Sequence, residues 1–95
     1  MAYVDSFIRP DKVRKCLSLH GSRPAFYFEY WGHVVVQFVD KVGEKRKLSK
    51  REFEDRFVTY SQALKFPAAM AILNAIPDWR EWRKKQEAGK NGNQV

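Results

Sequence analysis

Residues Ala25–Asp40, AFYFEYWGHVVVQFVD, make the longest β-type run in the chain and are too apolar to stand uncovered in water. Three consecutive valines are flanked by Phe, Tyr and Trp, and Gly32 breaks the run where a reversing chain needs a permissive backbone. The stretch reads as a hairpin with strands over 25–30 and 34–40. Alternation puts Phe26, Phe28 and Tyr30 on one face of the first strand, and Val34, Val36 and Phe38 on one face of the second. The two sets coincide only if Tyr30 pairs with Val34, which leaves Trp31, Gly32 and His33 as a three-residue loop. The other face carries Tyr27, Glu29, Val35, Gln37 and Val39, a mixture that helices cover in part or that binds something.

Upstream, Arg9-Pro10-Asp11 has the character of a helix start, and Val13, Cys16, Leu17 and His20 recur at helical spacing. Gly21 and Pro24 close the segment, so an N-terminal amphipathic helix is expected over about 10–20, preceded by a lead-in whose Tyr3, Phe7 and Ile8 dock on the core. Downstream, Gly43 marks a turn, and 45–48 is a candidate third strand whose cations suit a sheet edge. Ser49 and Glu52 match a capping box at the start of a helix over 50–58, with Phe53 and Phe57 as its apolar stripe. Thr59 to Phe66 reads as a connector, with Ser61 a candidate cap. Helices are then expected over 67–76, apolar on most sides, and 78–87, basic with Trp79 and Trp82. The expected architecture is α+β: one N-terminal helix, an antiparallel sheet of two or three strands, and two or three C-terminal helices. Residues 1–88 read as a single compact domain and 89–95 as a disordered tail.

Eighteen Lys and Arg against eleven Asp and Glu give a net charge of +7 and a pI near 9.8. Such a surplus attracts polyanions through long-range fields and counterion release. An aromatic content of 15% argues against wholesale disorder. No apolar run approaches the ~20 residues that span a bilayer. The start lacks the basic and apolar regions of a signal peptide, and Cys16 has no second cysteine to pair with. A cytoplasmic protein that does not enter membranes is expected.

Candidate chemistry is sparse. Cys16 and His20, four apart, would share a helix face as a nucleophile–base pair or half a metal site, yet only His33 remains as a further strong ligand. Glu52, Glu54 and Asp55 lie on one helix, not across a cleft. Phosphate-loop, dinucleotide, zinc-protease and serine-hydrolase motifs are absent from the sequence. A helix-turn-helix over Tyr60–Trp82 fails because Pro67 sits at the turn and the second helix offers Ala, Met and Ile in place of base-reading side chains. The reading is therefore non-enzymatic, with no metal and no cofactor.

Two basic clusters remain: Lys45, Arg46, Lys47, Lys50 and Arg51, and a second of Arg80, Arg83, Lys84 and Lys85. With Tyr27 and Trp31 as stacking or interface aromatics, and Trp79 and Trp82 as core, interface or stacking groups, they point to nucleic acid or a ribonucleoprotein. The rival reading is a protein-interaction module or stand-alone inhibitor, of the sort mobile elements use to block a host complex. An exposed apolar patch or edge strand would carry it, with a homodimer as one form.

Overall fold

A computed structural model describes residues 12–93, with side chains through Gln86. Five strands make one antiparallel sheet: β1 (Arg14–Ser18), β2 (Pro24–Tyr30), β3 (His33–Phe38), β4 (Lys45–Ser49) and β5 (Phe57–Thr59), in the order β4-β3-β2-β1-β5. The helices are α1 (Lys50–Arg56), α2 (Tyr60–Ala63), α3 (Pro67–Asn74) and α4 (Trp79–Asn93). The first four strands form a meander, and β5 crosses to the far edge to pair with β1. The class is α+β, but the expected two- or three-stranded sheet is a five-stranded one.

The expected N-terminal helix over 10–20 is also overturned: its described part is β1, which pairs with β2 (Cys16↔Ala25) and β5 (Cys16↔Thr59). The physical cause lies in the covering of both sheet faces. Cys16 faces one core cluster, with Ala25, Val34, Val36 and Phe38, while Leu17 faces another, with Ala63 and Leu73. A strand buried on both sides loses its polar–apolar alternation, so adjacent apolar residues imitate a helical stripe. His20, the last residue of that apparent stripe, is exposed in the β1–β2 turn. The lead-in residues Tyr3, Phe7 and Ile8 lie outside the described residues.

The hairpin turn is corrected for the same reason. Tyr30 pairs with His33 and Glu29 with Val34, so the loop is the two residues Trp31 and Gly32. Their φ values, 50° and 78°, are both positive, the primed geometry whose twist matches that of the flanking strands. Gly32 occupies the second central position, where Gly is favoured in this turn. Tyr27 therefore lies beside Val36, and Phe26 and Phe28 point to the opposite face. Requiring all large apolar residues to share a face is no guide to register when both faces are buried.

One face carries Cys16, Ala25, Val34, Val36, Phe38 and Leu48 under Phe53 of α1 and Phe57 of β5. The Phe53 and Phe57 rings stack at 5.3 Å, although Phe57 is already extended (φ −133°, ψ 153°). Spacing by four brings the rings together, but the helix expected over 50–58 ends at Arg56. Its capping box forms: Glu52 N–H donates to Ser49 Oγ at 3.1 Å and Ser49 N–H to Glu52 Oε1 at 3.3 Å. The connector beyond holds a second box on Thr59 and Gln62, so Thr59, and not Ser61, caps α2.

The other face carries Phe26, Phe28 and Val35 under Trp79 and Trp82, next to Leu17, Ala63 and Leu73. Lys15 Nζ donates to the carbonyls of Leu73 (3.3 Å) and Ile76 (3.0 Å), joining β1 to the carbonyl end of α3 where a cation is favoured. Asp78 Oδ1 accepts from Glu81 N–H at 2.9 Å and begins α4, which runs to Asn93, past the segment over 78–87 expected from sequence.

The β3–β4 connection is held by two polar devices. Gln37, only 2% exposed, donates through Nε2 to Phe38 O and Val42 O at 2.9 Å. Arg23 lies with Cζ 3.9 Å from the Phe38 ring centroid and donates to Asp40 and Glu44, with closest contacts of 2.8 Å. The guanidinium holds both carboxyls below their ordinary range, Glu44 at about 2. A carboxylate depressed by folding contributes stability that is present above its unfolded pKa and is lost as pH falls through its folded one. The thermal midpoint is therefore expected to fall between about pH 4.5 and pH 2, and Arg23→Gln to flatten that fall. Calorimetry of both proteins across this window checks it. Equal acid sensitivity would remove the network from the account.

Candidate nucleic-acid interface

The first basic cluster occupies the outer strand of the sheet and the helix that follows it. Register places Lys45 opposite Gln37 and Lys47 opposite Val35, on the face that α4 covers, while Arg46, opposite Val36, turns to the other side. Cations thus line both sides of an edge strand and are all exposed. From Lys45 to Ser49 the strand spans about 13 Å. Ser49 pairs with His33, the first residue after the Trp31-Gly32 turn, so this end of β4 meets the hairpin tip. Lys50 comes next, its Nζ 3.3 Å from Glu29 Oε1, and Arg51 is exposed beside it.

Not every cation in the cluster is equally available. Arg46 donates to Glu44 at 2.8 Å and has its Cζ 5.2 Å from the Phe38 ring centroid, which ties it to the Arg23 network. The backbone N–H groups at the start of α1 are partly taken by the capping box. The cations this edge offers are therefore its side chains more than the helix end.

The aromatic candidates separate sharply. Trp79 (6% exposed) and Trp82 (5%) are core: they stack at 5.5 Å and flank Phe26 at 5.4 and 5.6 Å. Tyr27 is half-buried with its ring 4.6 Å from Phe53, in the wall of an open cleft of about 290 Å³ with Val34, Lys50 and Glu29. Trp31 is 84% exposed at the hairpin tip. The second cluster lies on α4, where Arg80, Lys84 and Lys85 are exposed and Arg83 sits with Cζ 5.4 Å from the Trp79 centroid. Of the strand cluster, Lys45 and Lys47 lie on the sheet face that α4 covers.

Sequence reasoning missed the strain at Trp31 and the placement of exposed His33, whose Nδ1 lies 3.2 Å from Trp31 O. The Gly at the second turn position was the signal, and a two-residue loop would have followed from it. Cys16 is fully buried, and burial pushes its thiol up, away from a reactive thiolate. With β1 a strand, no helical turn stacks His20 over it. Among the described residues no group of three His, Cys, Asp or Glu could hold a metal, and no helix is long and apolar enough to cross a membrane. No protein family, curated protein or solved structure matches this chain.

Proposed function

We propose that the protein is a non-enzymatic binder of nucleic acid, free or in a ribonucleoprotein, which meets phosphates along the β4 edge and its continuation into α1. The observation that carries this is an edge strand with exposed Lys45 and Lys47 on one side, Arg46 on the other, and Lys50 and Arg51 beyond its end. Side-chain cations on a ridge contact phosphates without reading sequence, so affinity rests on charge. A row of about 13 Å faces roughly four nucleotides at the ~3.4 Å rise of a stacked strand. Fluorescence anisotropy with labelled oligonucleotides across a salt series is then expected to give a slope of log K against log salt near −3 for single strands. A slope near zero, or binding only at very low salt, overturns the proposal.

One observation favours a protein partner as the second reading. Leu64 and Phe66 are 62% and 57% exposed between α2 and α3, beside the outward Ala68 and Ala71. Both faces of the hairpin are covered, so the interaction surface or homodimer interface of this reading is that corner. Loss of a solution partner on Phe66→Ser, with polynucleotide binding absent, would favour it.

A further inference from the structure

Trp31 is a poor residue for the place it occupies. At φ 50° it sits in the left-handed region, which strains a bulky L-residue, and Asn or Gly would serve the turn better. It recovers almost none of this by burial, being 84% exposed, with an edge contact from Tyr30 at 6.1 Å. A strained, exposed indole that the fold does not reward is the kind of outlier that marks a ligand contact. It stands in a two-residue turn, with His33 Nδ1 3.2 Å from Trp31 O.

The surroundings say which ligand. Lys50 Nζ lies 3.3 Å from Glu29, two residues before Trp31, and Ser49 pairs with His33, so the basic edge ends beside the turn that carries Trp31. A flat, apolar, electron-rich ring at the end of a cation row suits a chain of alternating phosphates and planar bases. A duplex keeps its base faces stacked inside, and opening a step costs free energy. Only unpaired bases present a face for nothing. Resting on the nucleic-acid reading above, we infer that the β4 edge takes single-stranded nucleic acid, with one base stacked on Trp31.

The test compares wild type, Trp31→Asn and Trp31→Phe on single-stranded dT and U oligomers and on a duplex of equal length, at one salt concentration. Single strands are expected to bind tighter than the duplex. Trp31→Asn should lose about tenfold on them with little change on the duplex, and Trp31→Phe should keep most of the affinity. Trp79 and Trp82 are buried, so tryptophan emission that changes on binding and is insensitive in Trp31→Asn reports the stack directly. Thermal melting of Trp31→Asn is expected at or above the wild-type midpoint, which separates binding from folding. The dT and U arms tell DNA from RNA preference. Wild-type affinity in Trp31→Asn overturns the inference and leaves the basic edge standing. Equal losses on single strand and duplex overturn it in favour of a wedge between paired bases. No binding to either polymer overturns the inference and the nucleic-acid reading together.

Discussion

Replacing Phe26 by alanine is expected to cost about 3–5 kcal/mol, a large share of the ~5–15 kcal/mol that holds a domain of ordinary stability. Phe26 is 1% exposed and lies edge-on to Trp79 (5.4 Å, 74°) and tilted to Trp82 (5.6 Å, 55°). Its ring is what α4 rests on. Truncation removes the transfer energy of a buried ring and leaves a void, and it also removes two aromatic pairs of about 0.5–1.5 kcal/mol each. Urea unfolding should show a lower midpoint. Tryptophan emission in the folded protein should shift to the red as the two indoles gain water. Phe26→Leu, which keeps most of the volume, should fall between. A red shift with little change in midpoint would mean that α4 detaches without cost to the sheet. An unchanged midpoint and spectrum would show that the helix does not depend on this contact.

The double charge reversal Lys45→Glu with Lys47→Glu carries the largest functional effect. Both side chains are exposed on β4, so the unfolding free energy should change far less than the affinity. On the proposed nucleic-acid reading, losing two phosphate contacts forfeits their counterion release, about 25-fold in affinity for single strands at 0.1 M salt, and repulsion adds to that. The salt slope should drop from about −3 to about −1.5. If affinity and slope survive, the edge cations serve a different end: Lys and Arg on an outer strand deter pairing with another chain, and the variant would then show itself by self-association.

Local signals in the sequence were the ones that carried through. Ser49 and Glu52 form their reciprocal hydrogen bonds because a capping box is satisfied within four residues and needs no distant partner. Pro67 stands at the head of α3, and Pro77-Asp78 precedes α4, for equally local reasons. Both basic clusters were visible as runs, since exposed charge is a property of composition. Signals that needed a partner were lost. β5 is three residues, Phe57–Thr59, with no alternation to announce it; it exists because β1 offers an edge at Cys16–Ser18. The residues that α1 and β5 share in one aromatic stack looked like one longer helix for the same reason.

Taken alone, the sequence determined that the chain is basic, rich in apolar β-formers around Ala25–Asp40, capped at Ser49 and devoid of the motifs that catalysis usually leaves. Tertiary structure decided that residues 14–18 are a strand, that Tyr30 faces His33 across a two-residue turn, and which tryptophans meet water. The physical reason is that a sheet covered by helices on both faces has no polar side. Periodicity then no longer distinguishes helix from strand or one register from the next, and the choice falls to hydrogen-bond partners far away in the chain. Trp31 is exposed at the hairpin tip while Trp79 and Trp82 are buried against Phe26, a fact of packing that no single segment contains.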